Sequence, residues 1–510
     1  MVSSFRHLAR LLAIARTLAR HGALFPLEAV GAASLAAVAR RLFGAGSTAG
    51  RPGVRFAAAL QELGPSTIKF GQALSVRSDL FGEALTADLS ALQDRLPPFP
   101  GHEARATIEA ELGRPVGELF ASFEDSPVAA ASIAQVHHAV TSEGKLVAVK
   151  ILRPGIEAAF ARDLALFEWL AAVIEERRPA LRRLKPRQVV ALFRATVALE
   201  LDLRLEAAAA SEFAESLADD AAVSIPAVDW QRTARRVLTL ERIAGIPIDE
   251  REALVAAGHD PGAVLAHAAA CFFTQVFRNG FFHADLHPGN LFVDAEGRLV
   301  MVDFGIMGRL ELGTRQYLAE MLSGFLSGDY RAVAEVHFRA GYVPRRQSLA
   351  GFMQACRAIG EPIRNRPLSE ISLARLLAQL FQVTETFEME TQPQLLLLQK
   401  AMLLAEGIGR KLDPTVNMWE LARPMAERWM AERRNPETLI AEAVAQLVAA
   451  ARRLPRLVGE LEDAATALAE GGVKLDPETV AALARSRGGS PHWPLWLAVG
   501  LLFLILLRVL

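Results

Sequence analysis

The sequence predicts an α+β chain built as two lobes. Strand-like runs cluster after residue 119, a second pair of short strands lies near residue 300, and long helical patterns separate and follow them. At 510 residues the chain exceeds what one simple core accommodates, so more than one lobe or domain is expected.

Residues 5–20 form a basic amphipathic helix, with Arg6, Arg10, Arg16 and Arg20 on one side and Phe5, Leu8, Leu11, Leu12 and Leu18 spread opposite. It either lies on an anionic membrane surface or packs on the body with a solvated basic face, and the residues leave both open. A helical stretch follows to about Phe99, contains Lys69-Phe70-Gly71-Gln72, and is closed by Pro97, Pro98 and Pro100. From about residue 119 the pattern turns to strands: Ile133–Val140, a Ser142-Glu143-Gly144-Lys145 turn, then Leu146–Ile151. Helical patterns return at 157–178 and 187–218, followed by a strand-like run at Arg236–Ile243. A helix at 262–279 leads into the loop His283-Ala284-Asp285-Leu286-His287-Pro288-Gly289-Asn290. Short strands at Asn290–Val293 and Arg298–Val302 flank the turn Asp294-Ala295-Glu296-Gly297, and everything from 311 onward reads as helix.

This is the element order of a bilobal protein-kinase-like fold with an N-terminal helical extension, a helical C-terminal region and a C-terminal transmembrane helix. The divisions fall at 1–45 (basic amphipathic segment), 46–118 (extension carrying Lys69), 119–243 (first lobe), 244–415 (second lobe), 416–490 (helical region) and 493–510 (anchor).

The bulk numbers bound the partners. Hydrophobic residues make up 52% of the chain and mean hydropathy is +0.23, so some apolar surface is expected to face lipid or a partner. A net charge of −1 gives no electrostatic case for nucleic acid. Cys271 and Cys356 sit in apolar stretches and read as core residues of a reducing compartment. Arginines interrupt every apolar run at the N-terminus, which argues against a secretory signal. The stretch Trp493–Leu510 carries one charge, Arg508, and as a helix would reach roughly 27 Å, close to a hydrocarbon core. Trp493 and Trp496 suit an interface, while Arg485 and Arg487 favour a cytoplasmic N-terminal side.

Phosphoryl transfer needs positioned phosphates, a divalent cation on oxygen ligands and a carboxylate near the acceptor. Lys150 ends the strand Val147-Ala148-Val149-Lys150 as a phosphate-binding lysine, and Glu206 is placed to pair with it. Asp285 and Asn290 have the spacing of a catalytic acid-base residue and a metal ligand, and Asp303-Phe304-Gly305 follows an apolar strand. Asn290 and Asp303 are therefore expected to hold Mg²⁺ beside ATP or ADP. A zinc pair made of His283 and His287 is disfavoured, because Pro288-Gly289 interrupts any helix through them. Where a glycine-rich loop is expected over the phosphates, the chain has Val128-Ala129-Ala130-Ala131-Ser132-Ile133-Ala134-Gln135-Val136. Alanine cannot adopt positive φ cheaply, so nucleotide geometry should differ from that of ordinary protein kinases.

With these motifs in view, the chain resembles the UbiB family of atypical kinases from about residue 50 to 415. The resemblance rests on KFGQ at Lys69–Gln72, the alanine-rich run ending at His137, Lys150, the ExD motif Glu200-Leu201-Asp202, LEAA at 205–208, FFHADLHPGN at 281–290, DFG at 303–305 and QPQLLLLQK at 392–400. It implies that Lys69 reaches the nucleotide site and meets Glu200 and Asp202, and that the extension covers a would-be protein-substrate site. It also implies ATPase or small-molecule kinase behaviour in ubiquinone biosynthesis at the bacterial inner membrane. Polyprenyl quinone precursors, membrane lipid and other quinone-biosynthesis proteins would be the partners. No Ala-Pro-Glu follows Gly305, so the peptide-docking segment is missing. Ala209 stands where relatives often carry asparagine, and one short span replaces their two. The alternatives are a pseudokinase-like scaffold of a biosynthetic complex and, with less support, a 2-polyprenylphenol hydroxylase.

Overall fold

The computed structural model describes residues 2–25, most of 33–75, 96–177, 186–362 and 392–413, with single positions at 85–92, 379–389 and 428–429. The chain divides into two units, Met1–Met430 and Ala431–Leu510, and every described residue lies in the first. Among the described residues no helix is long and apolar enough to cross a membrane, and the expected anchor at 493–510 lies outside them, as does nearly all of 416–490.

The first lobe is a five-stranded antiparallel sheet. Its strands are β1 (Phe120–Phe123), β2 (Ala129–Ala130), β3 (Ala134–Thr141), β4 (Leu146–Leu152) and, beyond β5 (Val223–Ser224) of the other lobe, β6 (Val237–Glu241). The order is β1-β3-β4-β6, with β2 also paired to β3. The β3–β4 hairpin turns where expected: Gly144 adopts φ 82°, and its N–H donates to Thr141 O at 2.9 Å. Strand alternation then sorts the side chains. Val147, Val149 and Ile151 point into a cluster with Ala104 and Ile108 of the Gly101–Leu112 helix. Each such residue contributes roughly 1.5–3 kcal/mol by burial. Lys150 and Leu152 face the other way, where Leu152 meets Leu203 and Ala207 of the Leu203–Ser216 helix.

Two expectations shift here. The sequence reads as one helix over 187–218, but the structure has two, Pro186–Glu200 and Leu203–Ser216. Asp202 breaks the run: it is extended, and its side chain accepts from Arg204 N–H as an N-cap. The helix at 101–112 was not resolved as a separate element from the sequence.

The N-terminal helices Val2–Arg20, Ala33–Phe43, Pro52–Leu63 and Pro65–Ser75 share one apolar cluster. Gly71 lets two of them approach closely, since a Cβ there would lie 2.6 Å from Leu60 Cδ1 and 2.7 Å from Leu92 Cδ1. Phe70, beside it, stacks on Phe167 at 4.6 Å and meets Phe193 edge-on at 5.3 Å, which seats the extension on the first lobe. The first helix packs on the body. Arg10, placed on the basic face by periodicity, turns inward to grip buried Asp163 at 2.7 and 2.9 Å.

The second lobe holds β7 (Ile246–Pro247), β8 (Phe281–His283), β9 (Leu291–Val293), β10 (Leu299–Met301) and β11 (Met307–Arg309). One sheet runs β5-β10-β9-β7 and the other pairs β11 with β8. The β11 strand was not expected; only three residues long, it shows no alternation, and its pairing with β8 is what defines it. Helices Pro261–Phe273, Leu312–Ser327, Tyr330–Arg339, Leu349–Gly360 and Pro393–Leu412 surround these sheets.

Candidate active site

Lys150 stands on β4 opposite Val136 of β3 and Leu238 of β6. Its ammonium donates to both Glu206 oxygens at 2.7 and 2.9 Å and to Asp303 Oδ1 at 3.0 Å. The N-cap at Asp202 makes this possible, since it starts a new helix whose first turn carries Glu206 inward. Burial alone would favour neutral Lys150, but the Asp303 and Glu206 carboxylates outweigh it and hold the lysine charged, with its pKa raised. Lys150 in turn draws the Asp303 carboxyl well below the usual range, helped by the nearby charge of Lys69. Glu206 is pushed up to about 7, chiefly by burial.

Asp303 adopts φ 63°, the left-handed region that few residues other than glycine enter. Aspartate tolerates it better than most, and the neighbouring Phe304 locks it. Phe304 is buried against Phe213, at 5.7 Å, and His283, also at 5.7 Å. Phe213 belongs to the helix that carries Glu206, so one aromatic cluster joins that helix, the catalytic loop and the Asp303 turn.

His283 braces the loop from inside. Its Nδ1 accepts from Asp285 N–H at 3.1 Å and its Nε2–H donates to Val302 O at 3.1 Å. Burial lowers its pKa, keeping the ring neutral, and both ring nitrogens are engaged, which leaves no lone pair for zinc. Gln275 fixes the strand before it, its Oε1 accepting from His283 N–H at 3.2 Å. Gln275 lies in a π-helical turn, Thr274–Asn279, that ends at Gly280. That glycine is required: its φ is 66°, and a Cβ would lie 2.6 Å from Leu310 O.

Asn290 donates its amide N–H to Asp285 O at 3.1 Å, which turns its amide oxygen into the available metal donor. Its backbone carbonyl accepts from Val302 N–H at 3.0 Å, tying it to the residue before Asp303. No group of three His, Cys, Asp or Glu side chains forms a metal cage among the described residues. One amide oxygen and one carboxylate nevertheless fit magnesium, which commonly takes its other ligands from phosphates and water.

The structure brings Lys69 to Glu200 at 3.1 Å, while Asp202 is engaged by Arg204 at 2.7 and 2.9 Å in addition to capping its helix. Of the alanine-rich residues, Val128 and Ala129 are exposed, Ala130, Ala131 and Val136 are half-buried, and Ser132, Ile133, Ala134 and Gln135 are buried. Arg153 clasps this loop, donating to Ala131 O at 2.9 and 3.0 Å. Gln135 turns away from it: its Oε1 accepts from Phe99 N–H at 3.0 Å, its Nε2 donates to Phe99 O at 3.2 Å, and His137 lies 2.7 Å away. Gln135 therefore holds the segment that joins the extension to the first lobe.

Lys400 was not singled out from the sequence. It lies on the Pro393–Leu412 helix, and its Nζ is 2.8 Å from Asp285 Oδ1. No spacing rule could have found it, because the pair forms only when that helix packs beneath the loop.

A strand lysine locked to a helix carboxylate, facing a braced aspartate loop across two lobes, defines an atypical kinase-like domain. Comparison with known proteins agrees. An ABC1 atypical kinase-like domain model matches residues 91–337, and a UbiB helical domain model matches 356–417. The chain is 46% identical over 392 residues to "Probable protein kinase UbiB" of Marinobacter nauticus, covering 76% of this chain and 72% of that protein. Proteins of the same name in Xanthomonas axonopodis pv. citri and Xylella fastidiosa are 44% and 42% identical to it, each over 80% of this chain and 75% of theirs. The Rv3197–erythromycin complex from Mycobacterium tuberculosis shares the fold at TM-score 0.52 and 27% identity, over 78% of this chain and 98% of that one. The chain belongs to the UbiB family of ABC1 atypical kinases.

Proposed function

We propose that this chain is a membrane-bound atypical kinase or ATPase supporting ubiquinone (coenzyme Q) biosynthesis. It uses Mg-ATP to act on, or open access to, polyprenyl-phenol intermediates at the bacterial inner membrane, with its catalytic body cytoplasmic and its C-terminus as anchor. The observation that carries the nucleotide part is the Lys150–Glu206–Asp303 cluster, with Lys150 Nζ within 3.0 Å of both carboxylates. Asn290 and Asp303 would hold the magnesium, which when bound neutralises charge on the phosphates. Lys150 positions phosphate oxygens, and Asp285 orients the acceptor hydroxyl or water and takes up its proton.

A small or lipidic acceptor suits the chain better than a peptide. After Gly305 the backbone runs straight into β11 and then the Leu312–Ser327 helix, with no extended segment on which a peptide could dock. The quinone part rests on family membership and on the apolar segment at 493–510.

The test is Mg²⁺-dependent ATP hydrolysis by the full-length protein, with and without vesicles and a phenolic quinone precursor. Hydrolysis that depends on magnesium and falls about 100-fold or more in Asp303→Asn is expected. Absence of magnesium-dependent hydrolysis under every condition would overturn the reading. Rescue of quinone synthesis by Asp285→Asn would instead favour a scaffold.

A further inference from the structure

The catalytic loop His283–Asn290 contains no lysine or arginine, yet its central carboxylate is not left without a cation. Lys150 is committed to Glu206 and Asp303, and Lys69 to Glu200. The ammonium beside Asp285 is Lys400, at 2.8 Å, delivered by the Pro393–Leu412 helix within the region matched by the UbiB helical domain.

The helix and the loop pack into one apolar cluster. Ala284 and Leu286, which flank Asp285, are buried in the same cluster as Leu398 and Ala401, which flank Lys400. The ion pair itself is about one-third exposed on each side, 32% for Lys400 and 30% for Asp285. Such a pair contributes little to stability. Its significance lies in its partner, the one carboxylate of the loop.

The geometry points to Lys400 as a positioning residue for phosphoryl transfer. It holds the Asp285 carboxylate in its working orientation and makes turnover depend on the seating of the helical domain. This rests on the reading of Asp285 as the acceptor-orienting group. The ammonium lies 2.8 Å from Oδ1 as an ion pair, which restricts rotation of the carboxylate and leaves Oδ2 for the acceptor proton. The helical domain thereby becomes a part of the catalytic centre, and whatever displaces the Pro393–Leu412 helix would withdraw the cation.

Two measurements test this. In the nucleotide-free protein, acylation of Lys400 by an amine-reactive reagent is followed by mass spectrometry against Lys411 and Lys145. Asp285→Asn should raise labelling of Lys400 alone by about threefold, and unchanged labelling would show that the pair does not form in solution. In steady-state ATP hydrolysis, Lys400→Met should lower kcat about 10-fold or more with KM within about threefold, and Lys400→Arg should recover part of the loss. A rise in KM with kcat unchanged would make Lys400 a nucleotide-binding residue and overturn the positioning role. Wild-type turnover matched by Lys400→Met overturns the role of Lys400 alone. A wild type without turnover overturns the catalytic reading of the site and this role with it.

Discussion

Lys69 Nζ lies 3.1 Å from Glu200 Oε2, with only 13% and 12% of the two side chains exposed. The pair joins the N-terminal extension to the last residue of the Pro186–Glu200 helix. Lys69 is also close enough to Asp303 for its charge to lower that carboxyl. The extension therefore adds a cation beside Glu200 and Asp303 as well as apolar cover. Lys69→Met should strand Glu200 in a poorly hydrated place and destabilise the protein by about 2 kcal/mol. Adding Glu200→Gln should restore most of that stability without restoring nucleotide turnover. Thermal melts and hydrolysis rates on the four proteins of the cycle check both halves.

Asp303 combines a functional carboxylate with a left-handed backbone, φ 63°. Asparagine shares the tolerance for that region, so Asp303→Asn should fold normally and lose its magnesium response. Asp303→Val should lose the same response and in addition cost about 1–3 kcal/mol of strain. Comparing melting temperatures of the two variants separates backbone strain from lost chemistry.

The Arg10–Asp163 pair gives a pH dependence of known sign. Burial would raise the Asp163 carboxyl, but hydrogen bonds from Arg10, Ser66 and Arg162 outweigh it and hold the carboxyl below its usual range. A carboxyl depressed in the folded state contributes stability that is present above its unfolded value, about 3.9, and is lost as pH falls through the folded value. Asp163→Ala should therefore destabilise by about 3 kcal/mol at neutral pH. The gap to wild type should narrow below about pH 4. Melting curves between neutral and acid pH would show the convergence, and a gap independent of pH would contradict it.

Gln135 satisfies both backbone groups of Phe99. Gln135→Leu keeps the volume and removes the polar partner, leaving the half-buried Phe99 N–H and carbonyl unmatched at about 1–3 kcal/mol. The expected signature is local. Proteolytic cleavage at residues 96–100 should quicken well before global unfolding, while unchanged protection there would argue against a role of Gln135 in holding this segment.

Much of the site was legible in the residues because its chemistry is spaced locally. Asp285 and Asn290 share one loop, Asp303 follows the adjacent hairpin, and Lys150 sits on an alternating strand whose faces are set by the pleat. The tight Gly144 turn follows from the same short-range rules. Elements blurred where a side chain or a remote partner competes with periodicity. Asp202 caps a new helix inside an unbroken helical pattern. Three residues at Met307–Arg309 become a strand only because β8 lies beside them.

What the residues alone determined is thus the fold class, the family and the inventory of charged groups. Tertiary packing decided how those groups pair. It turned Arg10 inward to Asp163, directed Gln135 to Phe99 rather than to the loop, and set Lys400 against Asp285. Periodicity reports only which face of its own element a side chain occupies, whereas charges act across a few ångströms of space. Which cation stands beside which carboxylate is therefore settled only when distant helices close around the site.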